Sequence, residues 1–133
     1  MKKLFYFVLA IFLLTALEVA VTTFGAKVEL GESKLYSEKD LKSAVFAIQL
    51  DCLTDRDYYL KRLRYMGDEQ SLIKREYYSH FQEEFGEFDE CACFMADYHS
   101  PRHGSREPDD TDWELILGRK IGGRWRILTQ GEG

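Results

Sequence analysis

Cys91, Cys93, His99 and His103 carry the ligand chemistry that suits zinc. Cys91 and Cys93 stand two apart in a strand-like stretch, so both side chains point the same way. Their Cα atoms would lie about 6.5–7 Å apart, at the far edge of disulfide reach. Ligands spread along so much of one strand converge on a single ion only if the strand bends, so no metal is expected. The third cysteine is Cys52. It meets Cys91 or Cys93 in a disulfide if the first helix packs across that strand; otherwise all three stay as buried thiols. An odd count leaves at least one thiol unpaired in a monomer. Asp97, Tyr98 and His99 are the candidates for acid–base catalysis. Asp97 and His99 share a strand face, where a carboxylate in an apolar cup can work as an acid or base. The competing reading is a strand end emerging into solvent. Asp109, Asp110, Asp112 and Glu114 form an acidic cluster, but the glycine-turn spacing of a calcium-binding EF-hand is missing, which favours a solvated loop.

No other segment adds a catalytic signature. The chain has no glycine-rich phosphate loop, no nucleophile elbow and no HExxH. No cofactor is expected.

These residues need elements to position them. Ser37 is placed to cap a helix, Asp40 stands three residues on, and Tyr36 and Leu41 occupy the two positions of a hydrophobic staple. Leu41, Ala44, Val45, Ile48 and Cys52 then recur at spacings of three and four, which predicts one helix from 38 to about 50–53. Residues 58–66, YYLKRLRYM, read as a strand with imperfect alternation, since Leu60 and Leu63 fall on opposite faces. A second helix is predicted over 69–85. Asp68 is its N-cap, Ile73, Tyr77 and Phe81 lie four apart on one face, and Gly86 is its stop. Residues 88–99 read as a central strand, apolar on both faces in its first half. Residues 100–110 hold both prolines and read as a polar loop.

Residues 111–129, TDWELILGRKIGGRWRILT, read as a hairpin. A two-residue turn at Gly122 and Gly123 would set the Trp113 face against Arg124 and Arg126. A three-residue loop, 121–123, pairs Lys120 with Arg124 and gathers Trp113, Leu115, Leu117, Trp125 and Ile127 on one face. A slip of one residue inverts every side chain, so the pattern selects the second register. Such a loop wants a positive φ before the return strand, expected at Gly123. The other face carries Ile116 opposite Leu128, with Arg124 and Arg126 beside them. If helices cover only the Trp face, this pair is an apolar spot with a charged rim, the layout of a protein contact. The order of elements predicts an α+β domain, with N-terminal helices packed on one face of a curved antiparallel sheet that ends in a Trp-rich hairpin.

The first 25 residues read as targeting. Lys2 and Lys3 precede an apolar run over 4–17 broken only by Thr15, and Glu18 interrupts before a second apolar, small-residue stretch. One reading is a signal peptide cleaved after Gly25. The other is an uncleaved anchor, since 4–26 is 23 residues, enough to span a bilayer if Glu18 is tolerated. In both, residues 26–133 are exported as one domain. Removing Lys2, Lys3 and Glu18 from the 18 basic and 23 acidic residues leaves 16 and 22, a net charge of −6. That argues against a nucleic-acid partner and leaves membrane contact to the N-terminal segment, if it is uncleaved. The chain contains no Asn and so no glycosylation sequon.

Three stretches, GESKLYSEKDLKSAV, LRYMGDEQS and TDWELILGRKIGGRWRI, resemble in order and approximate spacing a family of small exported proteins of unknown function from Gram-positive bacteria. The motifs are the capped helix start, Leu63-x-Tyr65 before Asp68-Glu69-x-Ser71, and Thr111-Asp112-Trp113 opening the hairpin. The resemblance covers most of residues 31–133. It implies a cystatin-like fold of the nuclear-transport-factor-like kind and a protein that is secreted or anchored on the outer face of the cytoplasmic membrane. It implies no activity. The sequence departs from the family pattern at Tyr58 or Tyr59, where a cysteine often precedes the first strand, and in its Cys91–Cys93 pair. Two functions are therefore expected as alternatives. One is a non-enzymatic extracytoplasmic module that binds an envelope protein, a second copy or a small ligand. The other is a small-molecule enzyme with its acid–base site in the cup of the sheet.

Overall fold

The computed structural model describes residues 2–54, 59–99 and 110–132, with the side chains of 15–23, 110, 111 and 132 outside that description. His103, Asp109 and Tyr58 lie outside the described residues, as does the polar break expected at 55–57. The elements run α1 (Lys2–Phe24), β1 (Lys27–Glu29), α2 (Glu38–Thr54), β2 (Tyr59–Tyr65), α3 (Asp68–Ser79), α4 (Gln82–Phe85), β3 (Glu90–His99), β4 (Asp110–Arg119) and β5 (Arg126–Glu132). The chain is α+β. Its five strands form one sheet in the order β1-β2-β3-β4-β5. The sheet is mixed rather than purely antiparallel, because β1 joins β2 in parallel, Val28 opposite Leu63.

Helix α2 starts as its residues require. The Ser37 hydroxyl accepts the Asp40 N–H at 3.1 Å, and an Asp40 carboxylate oxygen accepts the Ser37 N–H at 3.1 Å. Two N–H groups that the helix leaves unpaired are thus satisfied reciprocally. Leu41, Ala44, Val45, Ile48 and Cys52 face the sheet, where they meet Leu63, Phe94, Leu115, Leu117 and Trp125 in the larger core. Tyr36 joins this core, its ring edge-on to that of Trp125 at 5.4 Å.

Strand β2 resolves the alternation that its sequence breaks. A register shift between Leu60 and Arg62 admits one extra residue. Such a bulge returns the following side chains to the original face, so Leu60 and Leu63 both reach the larger core. The β4–β5 turn keeps the three-residue register near its tip, with Leu117 opposite Ile127 and Gly118 opposite Arg126. The positive φ falls at Gly122 (74°), not at Gly123. Gly123 instead donates its N–H to the Lys120 carbonyl at 2.7 Å. Further along, the register shifts between Ile116 and Leu117, so Ile116 stands opposite Thr129 and not Leu128.

Helices cover both faces of the sheet, which corrects the one-sided packing expected from the order of elements. Cys91, Cys93, Ile116 and Phe88 form a second, smaller core on the face opposite α2, with Tyr78 of α3 and Leu128 packed against it. The single helix expected over 69–85 is two helices, α3 and α4, separated at His80 and Phe81. Gly86 ends α4 at a φ of 83°. A Cβ there would stand 2.8 Å from the Arg126 guanidinium.

Candidate functional site

Helix α3 sets its orientation through Ser71, which is fully buried. The Ser71 hydroxyl accepts the N–H of Cys93 at 3.1 Å and donates to the Tyr65 hydroxyl at 3.1 Å; that hydroxyl in turn donates to Asp68 at 2.9 Å. Asp68 is therefore not the helix cap, a position taken by Gly67. Its carboxylate also accepts the Ser33 hydroxyl at 2.6 Å and the N–H groups of Lys34 and Leu35. These bonds, the Ser33 hydroxyl first, hold its pKa below the usual carboxylate range. Burial raises the Tyr65 hydroxyl to about 12, so it stays a donor.

With Ser71 pointing inward, the apolar stripe of α3 points outward. Ile73 is 50 % exposed, Tyr77 57 % and Phe81 40 %, so the face expected to be buried is a surface. The Tyr77 and Phe81 rings lie 5.3 Å apart along it. Glu69, Glu76, Glu83 and Glu84 are exposed around it, against Arg75 and His80. Lys74 is drawn aside to Glu114 at 3.1 Å. The stripe therefore has an apolar centre and an acidic rim.

On the other side of the sheet a groove runs between α2 and the β4–β5 turn, floored by Phe46, Ala47, Leu50 and Trp125. Arg119 lies over the Trp125 ring, 4.3 Å from its centre, and pairs with Asp40 and Glu90. Lys39, Lys42 and Arg124 stand at the rim. At the Phe46 end the groove meets α1, whose Phe24 ring lies 6.3 Å from that of Phe46. The large apolar side chains of α1 from position 4 to 14 are 41–67 % exposed. Among the described residues no helix is long and apolar enough to cross a membrane; the side chains of 15–23 lie outside that description.

Comparison with protein-family models, with curated proteins and with solved structures finds no match.

The residues singled out in the sequence are scattered. Tyr98 is buried in the larger core, on the face away from Asp97. Asp97 accepts the Asp112 N–H at 3.0 Å, and His99 is exposed at the strand end. Asp112 holds a φ of 56° and pairs with Arg64 at 2.7 Å, so two members of the acidic cluster, Asp112 and Glu114, already have cations. Cys91 and Cys93 lie in the smaller core, where burial pushes both thiols up to about 12 and keeps them protonated. Cys52 lies in the larger core, with the sheet between it and the pair, so the disulfide considered for it does not form. Among the described residues no three His, Cys, Asp or Glu side chains are arranged to hold a metal. The spot expected at Ile116 and Leu128 is core: Ile116 is fully buried and Leu128 packs against the same cluster. Arg126 is spent on the α4 end, donating to the carbonyls of Phe85 and Glu87. Arg124 and Arg126 both stay exposed, and Arg124 faces the groove. The α3 stripe was visible as periodicity; its direction was not, since Ser71 looks like any polar surface residue in the sequence.

Proposed function

We propose that residues 26–133 are a non-catalytic interaction module outside the cytoplasmic membrane, with α1 as its export segment, and that the module docks a protein partner through the outer stripe of α3. The observation that carries this is the exposure of Ile73 and Tyr77 on α3, with Phe81 just beyond its end, where the buried Ser71 bonded to the Cys93 N–H sets which side of α3 faces the sheet. A convex stripe one helix wide fits an apolar groove. The acidic rim disfavours a second copy, which would bring like charges together, and favours a partner whose groove is edged by Lys and Arg. The export reading is supported by Lys2 and Lys3 ahead of a helix whose apolar side chains from position 4 to 14 are exposed on every side. The finer fold we assign is the cystatin-like one, in the family of small exported proteins named above. It is supported by a capped helix lying across an antiparallel run of four strands.

A photo-cross-linking residue at position 77, introduced in living cells, tests the docking reading. The expected product joins this chain to a different protein outside the cytoplasm, and it weakens as salt is raised. A product of twice the chain's own mass would assign the stripe to self-association. Absence of any product would leave it an ordinary surface and overturn the reading.

A further inference from the structure

Helix α1 and the outer face of α2 are continuous at the Phe24–Phe46 contact. Large apolar side chains exposed all around a helix, as those at positions 4 to 14 are, call for an apolar surrounding, and a bilayer supplies it without a matching surface. If lipid surrounds α1, its C-terminal end is where the chain leaves the bilayer. Phe46, in ring contact with that end, must then sit close to the lipid surface. Phe46 is 52 % exposed and Leu50, one turn on, is 46 % exposed, so α2 already presents apolar side chains there. Along the same groove stand the cations Lys39, Lys42, Arg119 and Arg124 with the anions Glu38 and Asp40. Glu38 pairs with Lys42 at 2.9 Å, and Arg119 is shared between Asp40 at 3.1 Å and Glu90 at 3.0 Å, so the positive excess comes from Lys39 and Arg124. A domain of net negative charge thus carries a locally basic face beside its apolar helix. Apolar side chains at headgroup depth flanked by Lys and Arg are the arrangement that binds anionic lipid surfaces.

We propose that the outer face of α2, with Phe46 and Leu50 at its centre and Lys39, Lys42 and Arg124 at its edge, lies on an anionic bilayer in which α1 remains embedded. This rests on the reading of α1 as an export segment and adds that the segment stays attached and that the domain lies down beside it. The side chains meet lipid phosphates and the upper acyl region, and no pocket is required.

The full chain reconstituted in vesicles of phosphatidylcholine and phosphatidylglycerol in equal parts tests this. The three native thiols are buried, so a fluorophore can be placed on Leu13→Cys, at the middle of α1, or on Phe46→Cys or Tyr77→Cys alone, with Leu50→Cys as a second site on the same face. Quenchers are carried either deep in the acyl chains or at the headgroup. The expected result is deep quenching at position 13, headgroup quenching at 46 and 50, and none at 77. Replacing phosphatidylglycerol by phosphatidylcholine should reduce quenching at 46 and 50 and leave position 13 unchanged. Deep quenching at 13 with 46 and 50 as dark to the quencher as 77 would overturn the proposal while leaving α1 in lipid. No quenching at 13 would overturn the reading of α1 itself. Protection of 46 and 50 by a second copy, seen as energy transfer between labelled chains without headgroup quenching, would assign the face to self-association instead.

Discussion

Asp68 gathers four donors on one carboxylate: the Ser33 and Tyr65 hydroxyls and the N–H groups of Lys34 and Leu35. It fastens the segment before α2 to the start of α3, across more than thirty residues of sequence. Hydrogen bonds to the ionised form depress its pKa in the folded chain. A depressed carboxylate contributes stability that is fully present above its unfolded pKa, about 3.9, and is lost as pH falls through the folded value. Asp68→Asn keeps the shape but replaces two acceptor oxygens with one. It should lower stability at neutral pH by about 1–3 kcal/mol, the cost of hydrogen bonds to a charged group. The difference from the parent should shrink as both are titrated into acid. Urea midpoints measured at neutral and acid pH decide this. A difference of equal size at both would mean that the ionised carboxylate is not what holds the segment.

Among the elements, α2 was legible and α3 only half so. The α2 stripe, its Ser37 and Asp40 cap and the side it buries all follow from local spacing, because an apolar face and a core face coincide there. In α3 they do not. Leu72, Ile73 and Tyr77 face water, while Ser71 and Tyr78 face the sheet. What sets the rotation is a hydrogen-bond partner on another strand, the Cys93 N–H, and no periodicity in α3 contains that information. The same limit hid β1, a three-residue strand whose only cue is its partner β2. It also hid the bulge that shifts Ile116 opposite Thr129. Alternation chose the turn register correctly, since one slip would have inverted the face with both tryptophans. In the hairpin alternation alone could not show that the opposite face has a cover as well, so Ile116 read as surface there; the two apolar faces of residues 88–94 already pointed to a cover on both sides, and both cores are there. The rotation of α3 makes a prediction against hydropathy. Ile73→Gln should change stability by less than about 0.5 kcal/mol, as a surface substitution does. Ser71→Ala, although smaller and more apolar, should cost about 1–3 kcal/mol, because it strands the buried Cys93 N–H. Thermal or urea unfolding of the two variants gives the ranking, and the reverse order would put α3 the other way round.

At the scale of the molecule, α2 and α3 lie on opposite faces of one sheet, each packed against its own core. The face assigned to lipid is basic and adjoins α1; the face assigned to a protein partner is acidic and lies on the far side. An anionic bilayer would repel Glu69, Glu76, Glu83 and Glu84 and attract Lys39, Lys42 and Arg124, so charge alone orients the domain with α3 outward. The two faces share no side chain, and two packed cores and a sheet stand between them. Substitutions that far apart with no common partner act independently. Phe46→Asp should therefore reduce headgroup contact in vesicles and leave the cross-link from position 77 unchanged. Tyr77→Asp should abolish partner capture with headgroup contact intact, and the double variant should show the two losses with no interaction between them. The comparison needs folded protein, and both positions are more than half exposed, so neither change touches a core. If Phe46→Asp also removed partner capture, the partner would need the domain seated on lipid, or would itself bridge both faces. The two sides would then be one site, and the division of labour between α2 and α3 would be wrong.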